Sequence, residues 1–241
     1  MRPEQARPVL LNSTDPSLVF PDPLHAESPL IAVGGDLSPE RILQAYAQGI
    51  FPWFGEEDPI LWWSPDPRGV LKPDAVHISR SLRKHAGTGS WQVRLDGDFA
   101  GVLDDCAAPR SGQGGTWITD GMRSAYLDLF AAGHGHCVEV LQHGQRVGGL
   151  YGVAQGALFF GESMFSRVPD ASKIALVWLA KHLSYWNFGL IDTQFLTPHL
   201  QSMGAGEMTR AEFLQHLALL KNQPTPHAWQ AFLSWDDVFW P

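Results

Sequence analysis

The chain has 241 residues, of which 44 % are hydrophobic, and its formal net charge is −8. This composition is typical of a folded globular protein with ample core, and it argues against a disordered chain or a general nucleic-acid binder. The sequence contains no apolar run of membrane-spanning length and no hydrophobic leader, and its two cysteines follow no ligand pattern. We therefore expect a cytoplasmic protein with no membrane partner and no metal site of the paired-cysteine type.

The first 62 residues predict a small N-terminal domain. Residues 1–30 form an irregular lead-in that is rich in proline and polar residues. Ser38 as N-cap, Pro39 at the first helical position and Gly49 at the end predict a helix over residues 40–48. Two prolines in the sequence Pro65-Asp66-Pro67 stiffen the chain that follows. We place the boundary near residue 62, so that the domains span residues 1–62 and 63–241.

One basic cluster occurs in an otherwise acidic chain. At helical spacing, Arg80, Arg83 and Lys84 share a face of the helix predicted around residues 79–85. Such a face can contact phosphate groups, or it can simply be a solvated helix surface. The sequence alone leaves both interpretations open.

Strands and helices then mix without strict alternation. Residues 91–95 predict a strand, residues 116–119 a short extended segment, and residues 120–133 an amphipathic helix. A hairpin turn at His143-Gly144 joins predicted strands at 137–141 and 146–153. His134 and His136 have no third ligand nearby, so we predict no metal site there.

Residues 148–194 organise the rest of the chain. Short apolar strands are predicted at 150–153 and 158–160, on either side of a turn at Gln155-Gly156. Residues 174–183 are apolar nearly all round, which indicates a buried helix, and residues 190–194 predict the next strand. A capping box at Thr209 and Glu212 predicts the start of another helix, and the aromatic tail should pack back on the body. The order of elements predicts an α+β fold around a largely antiparallel sheet.

Three polar side chains in this stretch form the candidate site. Side chains alternate along a strand, so Asp192 and Gln194 should share one face. Glu162 follows the strand at 158–160, which we expect to lie beside them. Alternatively, Glu162 is a solvated turn residue, and Asp192 and Gln194 face water from a half-exposed sheet.

Six blocks of the sequence resemble the leucyl/phenylalanyl-tRNA–protein transferases. They are GGDLS at 34–38, GIFPWF at 49–54, WWSPDPR at 62–68, GTWI at 115–118, GESMFS at 161–166 and IDTQ at 191–194. Any one block could arise by chance, but all six in this order form a specific signal. The resemblance covers residues 29–217.

The resemblance implies a fold and an activity. The fold would be a small N-terminal domain followed by a domain like the GNAT acyltransferases. The activity would transfer Leu, Phe or, less well, Met from aminoacyl-tRNA to proteins that begin with Lys or Arg, which marks them for N-end-rule degradation. No cofactor is implied, and we expect a monomer.

The resemblance also assigns roles to single residues. Asp192 and Gln194 would relay to the attacking amine, and Glu162 would lie near the cationic acceptor. The pocket for the donor side chain would be lined by Trp53, Trp117, Tyr126, Leu150 and Phe159. Arg80, Arg83 and Lys84 would contact the acceptor stem of the tRNA.

Two other functions remain open at the level of sequence. The first is a coenzyme-A-dependent N-acyltransferase, although the loop 166–172 lacks the glycines that would cradle a pyrophosphate. The second is a tRNA-binding or peptide-binding module without catalysis, in which the three polar residues would be incidental.

Overall fold

The computed structural model describes residues 7–13, 17–109, 116–225 and 229–240. Gly115 of the GTWI block and residues 1–6 and 14–16 of the lead-in lie outside these ranges. The strands are β1 (Val9–Leu11), β2 (Leu30–Gly34), β3 (Phe51–Pro52), β4 (Leu61–Trp63), β5 (Arg68–Leu71), β6 (Trp91–Leu95), β7 (Gly135–Gln142), β8 (Gln145–Gln155), β9 (Leu158–Ser166), β10 (Leu190–Gln194) and β11 (Gly206–Met208). The helices are α1 (Pro39–Tyr46), α2 (Arg80–Thr88), α3 (Phe99–Ala107), α4 (Asp120–Ala131), α5 (Ala171–Tyr185), α6 (Pro198–Ser202), α7 (Arg210–Leu220) and α8 (Trp235–Phe239).

The N-terminal part forms a small sheet of its own, with the strand order β1-β2-β4-β3. Helix α1 begins after Ser38, whose side chain accepts the N–H of Arg41, and it ends two residues before the predicted end. The chain passes from this sheet to the larger one between Trp63 and Arg68. The division at residue 62 falls inside β4 and stays a prediction.

The larger sheet has seven strands in the order β11-β5-β10-β9-β8-β7-β6. Every neighbouring pair is antiparallel except β9 and β10, which run parallel. Parallel neighbours need a crossover connection, and α5 supplies it. The predicted α+β class with a mixed, largely antiparallel sheet is confirmed.

Helix α5 is the buried centre of one face of this sheet. Eleven of its fifteen residues are buried, as its all-round apolar sequence predicts. It packs closely on β8, where a Cβ at Gly148 would lie 2.5 Å from the Cβ of Ala171. The tail covers the same side, with Val238 and Phe239 fully buried.

Several local predictions are confirmed and others are wrong. The hairpin of β7 and β8, strand β6 and the capping box of Thr209 and Glu212 all form. In the segment at 116–119, Thr119 has an extended backbone and caps α4 by accepting the N–H of Met122. Helices α3, α6 and α8 and strands β1 to β5 and β11 were not predicted, because most are too short to show a clear hydrophobic period. Strand β1 lies in the stretch that was expected to be an irregular lead-in. Across the described ranges, no helix is long and apolar enough to cross a membrane.

Candidate active site

A cavity of about 700 Å³ opens beside the parallel strands β9 and β10. Four of the predicted site residues line it: Leu150, Phe159, Glu162 and Gln194. Helix α5 adds apolar side chains to the wall, Leu176 and Leu179 among them. The cavity therefore combines an apolar interior with a few polar groups, which is typical of a small-molecule site.

Both strands carry a β-bulge where they reach the cavity. On β9, Glu162 is the extra residue, because its two neighbours pair with consecutive residues of β8. On β10, Thr193 is the extra residue between Asp192 and Gln194, and Gln194 has a φ of 56°. A bulge re-aims the side chains around it. The expectation that Asp192 and Gln194 share one face of a regular strand is therefore wrong.

Asp192 lies behind the cavity, not in its wall. The side chains of Asp192 and Arg68 are both fully buried. Arg68 Nε donates to Asp192 Oδ1 at 2.8 Å, and Arg68 Nη2 donates to Oδ2 at 2.5 Å. Asp192 Oδ1 also accepts the backbone N–H of Gln194 at 2.9 Å. The expectation that Asp192 faces the hollow is corrected, since its carboxylate is engaged by Arg68 and by the bulge.

Arg68 is itself held from three sides. Its Nη1 donates to the carbonyl of Gly49 at 3.0 Å. Its guanidinium lies 5.0 Å from the ring centroid of Phe51 and 4.4 Å from that of Phe213. Hydrogen bonds and cation–π contacts together compensate for burial of this charge. The pair thus ties the N-terminal part and α7 to the end of β10.

Glu162 is held by two tyrosines. Tyr46 Oη donates to Glu162 Oε1 at 2.6 Å, and Tyr126 Oη donates to Oε2 at 2.7 Å. The two hydroxyl oxygens are 2.9 Å apart. Helix α1 of the N-terminal part provides Tyr46, so the carboxylate is fixed by side chains from separate regions of the chain.

Burial raises the pKa of Glu162 to about 7, against the donated hydrogen bonds of Tyr46 and Tyr126, which lower it. The negative charge of Asp192 raises this pKa further, and the positive charge of Arg68 lowers it. Burial also raises the pKa of both tyrosines well above the usual value, so they remain neutral donors. A carboxyl group that titrates near neutral pH can exchange a proton during catalysis.

The amide of Gln194 is one of four polar groups at the cavity that have no hydrogen-bond partner among the described residues; the others are Tyr151 Oη, Thr193 Oγ1 and His199 Nε2. Gln194 is 7 % exposed, and its Nε2 has no hydrogen-bond partner among the described residues. A buried amide without a partner is costly, and a substrate atom can remove that cost on binding. Gln194 can therefore donate through Nε2 and accept through Oε1 at the same place.

Comparison with known proteins identifies the family. The profile described as Leucyl/phenylalanyl-tRNA protein transferase matches residues 70–218, and that of its N-terminal domain matches residues 35–66. Relatives carrying this name include one from Pseudomonas entomophila (strain L48), 53 % identical over 90 % of this chain and 97 % of that one. Another, from Nitratidesulfovibrio vulgaris (strain DP4), is 54 % identical over 88 % of this chain and 91 % of that one.

The chain belongs to the leucyl/phenylalanyl-tRNA–protein transferase family. It is therefore an aminoacyltransferase, and the resemblance drawn from the six sequence blocks is confirmed. Among solved structures, that of L-PGS from Bacillus licheniformis aligns with 71 % of this chain and 57 % of that chain, at 10 % identity and a TM-score of 0.39.

In this transferase, three residues predicted for the pocket lie outside the cavity wall. Trp53 directly follows β3, is 44 % exposed and packs on Trp63 and Phe195. Trp117 precedes α4 and packs against the hydrophobic core. Tyr126 is fully buried behind Glu162, where it acts as a hydrogen-bond donor.

The basic cluster lies on the transferase's surface. Arg80, Arg83 and Lys84 are exposed on α2, as their helical spacing predicts.

Of the two histidines at positions 134 and 136, His136 donates through Nδ1 to Asp96 Oδ2 at 2.8 Å. Within the ranges that the structure describes, no group of three His, Cys, Asp or Glu side chains could hold a metal ion.

Sequence reasoning missed the roles of Arg68, Tyr46 and His199. Arg68 stands in the WWSPDPR block, and Tyr46 lies on the apolar face of α1. The sequence therefore drew attention to both residues, but it could not show which side chains they would contact. His199 lines the cavity, and burial lowers its pKa, which favours a neutral imidazole there.

The buried pair of Arg68 and Asp192 should be strongly coupled. We expect Arg68→Met to lower the free energy of unfolding by about 3–5 kcal/mol, because it leaves a buried carboxylate unpaired. The double variant Arg68→Met/Asp192→Asn should be less destabilised than the sum of the single variants by about 1–3 kcal/mol. Urea unfolding followed by circular dichroism measures both.

Arg123→Ala provides the matched control. Arg123 pairs with Asp104 at 2.6 Å, but both side chains are substantially exposed. Its loss should cost less than about 1 kcal/mol. Strictly additive effects of Arg68→Met and Asp192→Asn would contradict the coupling.

Proposed function

We propose that this transferase moves Leu or Phe, and less well Met, from aminoacyl-tRNA to the α-amino group of proteins that begin with Lys or Arg. The product would enter N-end-rule degradation, and the enzyme would act in the cytoplasm as a monomer without a cofactor. The observation that carries the proposal is the apolar cavity that holds Glu162 and the unsatisfied amide of Gln194 in one wall.

The apolar wall supports a Leu or Phe donor. Leu150, Phe159, Leu176 and Leu179 would surround the side chain of the transferred residue. An apolar pocket separates side chains that differ by a methylene by only about 1–3 kcal/mol. The pocket would therefore exclude polar and charged residues while it accepts several apolar ones.

Asp192 would position the site without taking part in proton transfer. Its carboxylate is bound at both oxygens by Arg68 and accepts the N–H of Gln194. This arrangement favours a fixed amide whose Oε1 accepts from the attacking amine. The Nε2 of Gln194 would donate to the ester carbonyl oxygen, on which negative charge develops.

Glu162 would take the proton that the acceptor must lose. The α-amine of a peptide has a pKa of about 8, so most of it is protonated at pH 7. Transfer of that proton to a carboxylate whose pKa is about 7 costs little. The neutral nitrogen then bonds to the ester carbon, the bond to the ribose oxygen breaks, and the second proton leaving nitrogen reaches that oxygen.

The same carboxylate supports the choice of acceptor. Glu162 would present negative charge to a substrate that carries an α-ammonium group and a cationic first side chain. Asp105 also lines the cavity, but its two carboxylate oxygens are held by Arg146 and Arg167. The choice of acceptor would therefore depend on the charge of Glu162, which would disfavour an acidic first residue.

The activity is tested by transfer of labelled Leu or Phe from charged tRNA to a peptide that begins with Arg. We expect fast transfer to this peptide and at least tenfold slower transfer to the same peptide beginning with Ala or Glu. Peptide blocked by acetylation at its N-terminus is the matched control. Equal labelling of all peptides, or labelling of the blocked one, would reject the acceptor specificity.

The role of Glu162 predicts a pH dependence. Because its pKa is raised, Glu162 is protonated below about pH 7 and ionised above it. The single-turnover rate of transfer should therefore fall as the pH decreases through 7. Glu162→Gln should slow transfer about 10²–10⁴-fold and abolish this inflection.

Tyr126→Phe is a more specific test of the proton-accepting role of Glu162. It removes a hydrogen bond that lowers the pKa of Glu162, so the inflection should move to higher pH while activity persists. Gln194→Ala should reduce the rate at all pH values and leave the inflection in place. An unchanged profile in both Glu162→Gln and Tyr126→Phe would remove Glu162 from the proton pathway.

A further inference from the structure

A second large cavity, of about 760 Å³, lies where the turn between β8 and β9 meets the segment that follows α7. It shares no described lining residue with the active-site cavity. We call it the Trp229 cavity. Its wall includes Asp96, His136, Gln155, Lys221, Thr225 and Trp229.

Three buried polar atoms of this wall have no hydrogen-bond partner among the described residues. They are His136 Nε2, Gln155 Oε1 and Trp229 Nε1. His136 is 6 % exposed and Trp229 is 7 % exposed, so both side chains are more than nine-tenths buried. A buried polar group without a partner costs free energy, and a ligand that pairs with it removes this cost. Three such atoms around one cavity indicate a binding site.

Asp96 determines the hydrogen-bonding character of His136. Asp96 Oδ2 accepts from His136 Nδ1 at 2.8 Å, and Asp96 Oδ1 accepts the backbone N–H of Cys137 at 2.8 Å. Because the neutral imidazole carries its proton on Nδ1, its Nε2 is an acceptor. Gln155 Oε1 is also an acceptor, whereas the indole N–H of Trp229 can only donate. The three atoms therefore offer a ligand two acceptors and one donor.

The acceptor of His136 and the donor of Trp229 belong to stacked rings. The ring centroids are 3.7 Å apart, and the ring planes differ by 11°. A planar group that binds both atoms needs its own N–H and carbonyl oxygen side by side. A primary amide has this arrangement, and its second N–H matches Gln155 Oε1. In a trans peptide bond, by contrast, the N–H and the carbonyl point in opposite directions.

The charged side chains in the described wall are already engaged. Asp96 is paired with His136, and Lys221 Nζ donates to the carbonyl of Ala47 at 2.9 Å. A carboxylate ligand would meet the acceptor of His136 and the negative charge of Asp96 behind it. We propose that the Trp229 cavity binds a small neutral molecule with a primary amide, whose N–H groups donate to His136 and Gln155 and whose carbonyl oxygen accepts from Trp229.

The Trp229 cavity is adjacent to the active-site cavity through two aromatic rings. The centroid of the Trp229 ring lies 5.9 Å from that of Phe159, and Phe159 lines the active-site cavity. A bound amide must therefore be assigned to one cavity or the other by substitutions in each.

The test is an NMR titration of the full chain with nicotinamide at about pH 8, where ordinary imidazole groups are neutral. We expect a Kd of about 1 mM or tighter, as suits so small a ligand. N-methylnicotinamide lacks the N–H beside the carbonyl oxygen, and nicotinate has no N–H on its carboxylate. Each should bind at least about fivefold more weakly than nicotinamide.

Substitutions in the wall should weaken nicotinamide binding to a predictable extent. Trp229→Phe keeps an aromatic ring and removes the indole N–H, so the Kd should rise about 2- to 13-fold, as loss of one hydrogen bond predicts. His136→Phe should have an effect of similar size. Gln155→Met changes a half-buried side chain of similar length, so it tests the site even if both ring variants fail to fold.

Two control variants should bind nicotinamide like the parent. Trp178 Nε1 is also buried and without a partner among the described residues, but Trp178 belongs to the described wall of neither cavity. Trp178→Phe is therefore the matched control for Trp229→Phe. Gln194→Ala alters the active-site cavity alone.

The proposal is overturned if nicotinamide does not bind at about 10 mM, or if nicotinate binds as tightly. It is also overturned if the folded variants of Trp229, His136 and Gln155 all bind like the parent. Loss of binding in Gln194→Ala would place the ligand in the active-site cavity and would reject the proposal as well. None of these measurements depends on amino-acid transfer, so they test the Trp229 cavity separately from the proposed function.

Discussion

The ion pair between Arg68 and Asp192 fixes the geometry on which the rest of the site depends. Removing either charge alone would leave the other charge buried and unpaired, which is strongly destabilising. Through Gly49, the rings of Phe51 and Phe213, and the N–H of Gln194, the pair joins three regions of the chain. The N-terminal part of the chain therefore helps to hold the candidate site in place.

Two β-bulges place polar side chains of β9 and β10 in the wall of the cavity. A regular pair of strands would distribute Glu162 and Gln194 according to simple alternation, whereas each bulged strand presents its polar residue to the same cavity. In the proposed mechanism, proton transfer and substrate orientation are divided between these two residues. Glu162, desolvated and braced by two tyrosines, titrates near neutral pH, while Gln194 stays neutral and directs hydrogen bonds.

The sequence was sufficient for features that are encoded locally. The all-round apolar pattern predicted the buried helix α5, and turn and capping residues predicted the β7–β8 hairpin and the start of α7. Ordered motif blocks were sufficient for the family. Arg68 and Asp192 are 124 residues apart, so no local pattern could reveal their pairing. The bulges escaped prediction for the same reason, since register depends on the partner strand, and Asp192 was therefore expected to face the cavity. Trp53 was assigned to the cavity wall by the family resemblance alone.

The most direct measurement is a crystal structure with a hydrolysis-resistant analogue in which phenylalanine is joined to the 3′-adenosine through an amide. The account predicts the phenyl group in the cavity between Phe159 and Leu179, with the analogue's carbonyl oxygen about 3 Å from the amide of Gln194. The Arg68–Asp192 pair should be unchanged. A phenyl group bound outside the cavity, for example against Trp53, or an Asp192 released from Arg68 to meet the ligand, would contradict it.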